Sequence, residues 1–556
     1  MQRFVIGGVL ILATVVGGLP SAAQADTPPA PNILFLFADD WGRQASAYAA
    51  LDAADGLSRI VQTPNFDRLA AEGTLFRSAF VNAPSCTPCR SSLLSGQHFW
   101  KTGRGAILQG ARWDESIPSW PLLLADAGYH IGKSLKVWTP GTPTDAPIGG
   151  QRFAYERAGT RFNRFSQQIA EQLALGKELE VAREELLAEV QQNFEQFLDA
   201  RPDDRPFCYW FGPTNTHRTW VAGSGEQHWG IAPDRLRGSL PPFLPDVDVI
   251  REDMADYLGE IQAFDAGIGR LLAVLERRGE LEQTLVVVSG DHGPPGFLRG
   301  KCNLYDFGTA VPLVIRGPGV ARGEVADPLV SLIDLAPTLL EAAGVPVPDV
   351  MDGKSLWPLL SGRTREQRAA WEREAVLFGR ERHVEMAREG YLPYPQRGIR
   401  TAEFLYIVNF EPQRYPMGDP YHLDRDVESV SAETIARHTF ATLADEDASP
   451  TKAWMVVHQD DPQWRRLYGL AFEPRPREEL YDLAADPHQI NNLADDPDYQ
   501  QVRRDLERQL LGRLEASGDP RLIDGGAYFE RPPLAGPLPE DVPHPNRGRA
   551  AGPRRR

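Results

Sequence analysis

Continuous apolar runs that end in polar or turn residues recur along the chain: "NILFLFADD" (32–40), "PFCYWFG" (206–212), "TLVVVSGDHG" (284–293) and "PLVIRGPG" (312–319). A half-buried strand alternates apolar with polar residues, so an unbroken run predicts a strand covered on both faces. Helical patterns separate these runs. "TPNFDRLAAEG" (63–73) has Pro near its start and Gly at its exit, "WPLLLADAGYHIG" repeats the arrangement, and 166–199 is amphipathic. The segment from 254 to 279 puts Met254, Tyr257, Leu258, Ile261, Ile268, Leu271, Leu272 and Leu275 on one helical face and closes with Arg277, Arg278 and Gly279. "SLIDLAPTLLEAAG" (331–344) is another helix with Gly at its exit. Helices alternating with buried strands predict an α/β fold, its sheet covered by helices on both faces, over a large domain at 31–368. From about 370 onward the segments shorten ("AVLFGR", "FLYIVNF", "AWMVVH"), which predicts a smaller C-terminal α+β domain over 369–515. Residues 516–556 form an extension whose end, "RPPLAGPLPEDVPHPNRGRAAGPRRR", has the Pro, Gly and Arg content of a disordered tail.

Ligands of such sheets gather at the C-terminal ends of the strands. Asp39–Asp40 and Asp291–His292 each follow an apolar run, so the pattern places two distant polar pairs on one rim. Carboxylates there suit a hard cation such as Ca²⁺ or Mg²⁺, and His pulls toward Zn²⁺ or Mn²⁺. In isolation the same residues are more often helix caps or salt-bridge partners.

Composition narrows the field. The 556 residues are 42 % apolar and 24 % charged, which excludes a mostly disordered chain. Lys and Arg number 59 against 76 Asp and Glu, a net charge of −17 that argues against nucleic acid as a partner. Four cysteines are too few for a disulfide scaffold in a chain this long. Residues 1–25 read as a signal peptide: Arg3, the apolar "VIGGVLILATVVGG", and "AAQA" ending at Ala25. The alternative is an uncleaved anchor, for which the apolar stretch is short. A periplasmic or secreted protein without a membrane anchor is expected.

The most specific signal is "APSCTPCRSSLLSG" (83–96), in which Cys86-Thr87-Pro88-Cys89-Arg90 forms C-x-P-x-R followed by Leu-Ser-Gly. Cys86 and Cys89 also fit a C-x-x-C redox or disulfide pair. On the full motif the chain resembles the sulfatase family, within the alkaline phosphatase superfamily, from about 31 to 500. The resemblance implies a mixed, mostly parallel central sheet and a Cys86 oxidised to formylglycine by a formylglycine-generating or anaerobic sulfatase-maturing enzyme. It implies Asp39, Asp40, Asp291, His292 and residue 86 as ligands of a divalent cation, Ca²⁺ first, with Mg²⁺ or Mn²⁺ as alternatives. It also implies that Arg90 steadies the formylglycine, that His217 in "FGPTNTHRTW" faces the sulfate, and that Lys136 and Lys301 bind it. "EELYDLAADPHQINNLA" (478–494) resembles the family's C-terminal signature.

One position departs from the pattern. The family carries Lys-x-His after Gly-Tyr (128–129), and with Lys136 as the Lys, the His position holds Trp138. Lys133 offers another alignment, also without the His, and His130 lies nearby. Within the family, "FGRERHVEMAREGYLPYPQRGIRT" (378–401), "EPRPREELYDL" (473–483) and Asn303-Leu304-Tyr305 resemble bacterial relatives of heparan N-sulfatase (sulfamidase). That implies a terminal sulfated or N-sulfated sugar of a glycosaminoglycan such as heparan sulfate, or of another sulfated polysaccharide, as substrate. Trp138, Arg382 and His383 are candidate sugar contacts, with Glu381 and Arg388 close by, and Arg299 a possible addition to the positive rim. Two alternatives stay open: a phosphodiesterase or phosphonate monoester hydrolase of the same superfamily, and a non-catalytic binder of sulfated glycans.

Overall fold

A computed structural model describes residues 30–539 apart from 53–55, 204, 363, 365, 367–369 and 424–429. The expected signal peptide and residues 540–556 of the expected tail lie outside the described residues.

The apolar runs form strands with every residue buried. The central sheet comprises β1 (Asn32–Ala38), β2 (Thr74–Phe76), β3 (His130–Leu135), β4 (Phe207–Gly212), β5 (Thr284–Gly290), β6 (Leu313–Arg316) and β7 (Glu324–Ala326). Their order is β3-β4-β1-β5-β6-β2-β7. β3, β4, β1 and β5 are mutually parallel, β6 is antiparallel to its neighbours β5 and β2, and β7 pairs parallel with β2. The sheet is therefore mixed and mostly parallel, as the resemblance implies.

The two-residue period of a strand divides β1 between two cores. Leu34, Leu36 and Ala38 join one layer, with the long helix over Asp248–Arg278. Ile33, Phe35 and Phe37 join the other, with Trp120, Trp210 and the helix at Cys86–Ser95. The eight apolar residues predicted on one face of the 248–278 helix are all buried. Full burial of a Leu or Ile side chain contributes about 1.5–3 kcal/mol. Gly279 ends that helix at φ +69°, a left-handed conformation that glycine adopts without steric cost.

The second sheet, β8 (Ala375–Arg380), β9 (Gln396–Thr401), β10 (Phe404–Asn409) and β11 (Glu478–Asp482), is antiparallel throughout in that order. Its one face packs Val376, Phe378, Leu405 and Ile407 against Phe80, Leu304 and Tyr305 of the larger domain. Its other face takes Leu506, Leu510 and Leu514 of the helix over Gln500–Ala516.

The sequence pattern for 531–539 is corrected here. Instead of belonging to a disordered tail, this stretch buries Leu534, Ala535 and Leu538. Gly536 O accepts from Arg382 Nη1 at 2.6 Å, and Leu538 N donates to Glu385. Proline-rich composition left those three apolar anchors out of account. Among the described residues no helix is long and apolar enough to cross a membrane.

Candidate active site

Register builds the centre. Ala38 pairs with Gly290, so β1 and β5 end side by side and release Asp39-Asp40 and Asp291-His292 together. Asp40 turns at φ +59°, and its backbone N donates to Asp291 Oδ1 at 2.7 Å. Tyr257, from the 248–278 helix, donates its hydroxyl to Asp40 O at 3.0 Å and accepts from Gly42 N at 2.9 Å. β4 ends beside them at Gly212, where a Cβ would lie 1.9 Å from Lys136 O. Only glycine allows that approach, and Lys136 N donates to Gly212 O at 2.7 Å.

The Cys86–Ser95 helix aims its first turn at these strand ends. All ten of its residues are buried. Cys86 Sγ lies 3.8 Å from Asp40 Oδ1. One turn on, Arg90 donates from Nε to Asp291 Oδ2 at 2.9 Å, from Nη2 to Asp39 Oδ1 at 3.0 Å and from Nη1 to Val137 O at 3.0 Å. Lys136 Nζ reaches the same Asp39 oxygen at 2.6 Å. Lys301 Nζ lies 3.0 Å from Asp40 Oδ2, 3.2 Å from His217 Nε2 and 3.1 Å from Asp447 Oδ2. His217 Nδ1 is 2.7 Å from Arg218 O, which leaves Nε2 directed inward. A cleft of about 450 Å³, lined by Asp39, Lys136, Asn163, Arg164, His217 and Thr219 among others, opens onto this cluster.

Charge and burial set the protonation states. Burial pushes the Cys86 thiol well above its ordinary range, and the Asp39 carboxylate adds to the effect. Burial raises the Asp39 carboxyl, but Lys136 and Arg90 outweigh it and hold the group well below the usual range. For Lys301 burial acts downward, while Asp40 and Asp447 carry the ammonium well above its ordinary value.

The donors suit a cation. Ligand atoms of Asp40, Cys86, Asp291 and His292 all lie within 4.8 Å of one another, as do those of Asp39, Asp40 and His217. His292 Nδ1 faces Gly293 O at 3.1 Å, so its buried Nε2 turns a lone pair toward Asp40 Oδ1 at 3.2 Å and forms no hydrogen bond. Two electron-pair donors facing each other in a dry pocket fit a shared divalent cation. The second group is already served by the ammonium groups of Lys136 and Lys301.

The structure thus brings together Asp39, Asp40, Cys86, Arg90, Lys136, His217, Asp291, His292 and Lys301. His383 stands at the edge: its Nδ1 is 2.8 Å from Ser85 Oγ, and burial lowers its pKa to about 3. Other expectations are corrected. Trp138 is fully buried and donates Nε1–H to Ser91 Oγ at 2.8 Å, so it belongs to the core and not to a sugar pocket. Arg382 is buried between Gln109 O, at 2.7 Å, and Gly536 O. Glu381 pairs with Arg397 and Arg521, and Arg388 with Asp445. Arg299 leaves the rim altogether, its guanidinium 3.3 Å above the Tyr305 ring. Lys133 pairs with Glu156, and His130 stacks on Phe197, both away from the centre. All four cysteines are free.

Sequence reasoning missed Asp447. It lies in "LADEDASPTK", a loop whose acidic character reads as solvated surface. It also missed the buried network behind Lys301. Glu479 accepts from Tyr305, Tyr481 and Asn409, and Arg475 holds Asn303 at 2.6 Å.

The profile of the sulfatase family matches residues 31–345, more than half of the chain. The chain belongs to the sulfatase family. A second profile, described as N-sulphoglucosamine sulphohydrolase, C-terminal, matches residues 293–435. Human N-sulphoglucosamine sulphohydrolase is 30 % identical over 545 residues, covering 92 % of this sulfatase and 95 % of the human protein. An ulvan-active sulfatase of Formosa agariphila is 26 % identical, over 90 % of this chain and 77 % of its own. Among solved structures, a protein in complex with its substrate D-glucosamine-2-N,6-O-disulfate superposes with a TM-score of 0.56 at 19 % identity, over 89 % of this chain and all of its own. The phosphonate monoester hydrolase of Agrobacterium radiobacter superposes at 0.60 and 20 % identity, over 89 % and 97 %. At these identities both likenesses speak for the fold alone.

Proposed function

We propose that this sulfatase removes the sulfate of a terminal sulfated amino sugar, N-sulfated glucosamine foremost, from glycosaminoglycan fragments in the periplasm or outside the cell. The reading is carried by the placement of Cys86 beside the acidic strand ends, 3.8 Å from Asp40, with three cationic side chains around it. Cys86 acts as formylglycine, made by a maturation enzyme, and Asp39, Asp40, Asp291 and His292 hold a divalent cation, calcium first. Held by those four side chains, such a cation would supply Lewis acidity, lowering the pKa of a neighbouring hydroxyl and polarising a sulfate oxygen. The hydrated aldehyde provides both an attacking hydroxyl and a second one whose deprotonation lets sulfate leave.

The chain's own residues do the rest. Arg90 is locked by three hydrogen bonds and fixes the two carboxylates flanking residue 86. Lys136 and Lys301 offset charge on the sulfuryl oxygens, an electrostatic contribution that costs no reorganisation because both are already held by Asp39 and Asp40. His217 presents Nε2 to the cleft, 3.2 Å from Lys301 Nζ, where a proton passed on by that ammonium would be handed to the departing nitrogen or oxygen. Arg164 borders the space left for the sugar.

Sulfate release from N-sulfated glucosamine, 6-O-sulfated glucosamine and a 2-O-sulfated uronic acid, followed in time, tests the assignment. Preferential release from the N-sulfated sugar is expected. A protein that cleaves phosphate or phosphonate esters faster than any of the three would refute it.

A further inference from the structure

An anion-binding centre with an extra carboxylate in its wall needs an explanation. Asp447 comes from the C-terminal half of the chain and ion-pairs with Lys301 Nζ at 3.1 Å, opposite Asp40. Its side chain keeps 16 % of its surface open. Lys301 does not need it, since Asp40 Oδ2 already lies at 3.0 Å.

The loop is built to hold that charge in place. Lys452 Nζ gathers the carbonyls of Thr439, Leu443 and Glu446 at 3.3, 3.1 and 2.8 Å. Asp445 is clamped by Arg380 and Arg388 and accepts from Val384 N at 2.8 Å. Ser449 Oγ donates to Gly296 O at 2.7 Å and accepts from Lys452 N at 2.8 Å. Lys301 and His217 favour the ionised carboxylate enough to overcome its burial.

A count of charges shows what the carboxylate does. Asp39, Asp40, Asp291 and Asp447 face Arg90, Lys136 and Lys301, which leaves one negative charge in excess. Without Asp447 the side chains balance. A divalent cation adds the same two charges in either case. With Asp447 the loaded centre is thus matched to a singly charged tetrahedral group; without it, to a doubly charged one. A sulfate ester or sulfamate carries one negative charge, whereas a phosphate monoester and the released sulfate ion carry about two.

We infer that Asp447 is a charge-selectivity residue of this centre, admitting singly charged sulfate groups, rejecting phosphate monoesters and weakening the hold on the sulfate product. The inference deepens the proposed function and rests on it for the identity of the substrate. One unit charge acting through a partly screened site a few ångströms away is worth roughly tenfold or more in affinity.

The test compares wild type with Asp447→Asn and Asp447→Glu at pH 8, where a phosphate monoester is doubly charged. Two readings are taken: the ratio of kcat/KM for 4-nitrophenyl sulfate and 4-nitrophenyl phosphate, and the calorimetric Kd for inorganic sulfate. Asp447→Asn should move the ratio about tenfold toward phosphate and tighten sulfate binding by a similar factor, while Asp447→Glu stays close to wild type. An unchanged ratio with unchanged sulfate affinity, or an equal loss on both esters, would overturn the inference. If wild type released sulfate from neither the ester nor N-sulfated glucosamine the proposed function would fall, and the sulfate affinities of the three folded proteins would still decide the role of Asp447.

Discussion

Trp138 donates its indole N–H to Ser91 Oγ at 2.8 Å, tying the chain that follows β3 to the middle of the helix that carries Cys86. Where the family pattern has an imidazole, this protein has a buried brace. Trp113 meets the same ring edge-on at 5.6 Å, and the Gly141 backbone packs against its other side. The indole therefore puts no second polar group into the cleft at this position.

Trp138→Ala should cost about 3–5 kcal/mol of stability, the range for emptying a buried aromatic site. Trp138→His should also destabilise and should not raise kcat, because the ring sits behind Ser91 and not in the cleft. Urea denaturation paired with sulfate-release assays checks both points; a faster Trp138→His enzyme would contradict the brace.

Cys86 and Cys89 lie one helical turn apart but in different surroundings. Cys89 packs with Leu93 in the core layer, where burial pushes its thiol well above the ordinary range. Cys86→Ala is expected to abolish sulfate release, whereas Cys89→Ser keeps most of it. Peptide mass analysis should find formylglycine at 86 and a plain thiol at 89. Equal loss in the two variants would point to a paired-cysteine function.

Asp291→Asn should strip the divalent cation, as read by elemental analysis of the purified protein. It removes one donor of the cluster and also one of the two carboxylates that hold Arg90. Breaking a buried pair of this kind costs about 3–5 kcal/mol, so thermal unfolding belongs beside the metal content. Metal content equal to wild type would remove Asp291 from the ligand set.

Glu260 predicts a pH dependence of stability. Burial raises its pKa to about 7 against an ordinary 4.5, despite hydrogen bonds from Ser166 and Asn215. A folded-state pKa above the unfolded one gives stability that is complete below pH 4.5 and lost as pH rises through 7. The loss is of order 3 kcal/mol between pH 4.5 and 8. Glu260→Gln removes that slope, so its stability relative to wild type should be higher at pH 8 than at pH 5. Parallel curves from urea titrations at the two pH values would exclude the assignment.

The sheet and its rim were readable because they follow from local rules. Unbroken apolar runs mark doubly covered strands, and polar pairs just past two of them, at 39–40 and 291–292, mark the strand ends where a ligand sits. The motif at 86–90 was readable because its residue types are rare in combination. What escaped depends on contacts far apart in sequence. Asp447 matters only because the loop cage around Lys452 turns it toward Lys301. Arg299 and Arg382 carry charge that looks available until Tyr305 and Gly536 are seen to consume it. The segment 531–539 is Pro-rich, and its three buried side chains are too sparse to give a periodic signal.

The enclosure of the Cys86 helix carries a consequence for the order of events in the cell. Lys301, His383 and Asp447, which close over its first turn, are made long after it. Once they dock, no second protein can touch residue 86. On the proposed reading, oxidation of that thiol by another enzyme would have to win a race against the arrival of the C-terminal half, and slower collapse of the newly made chain would raise the fraction of molecules that become competent.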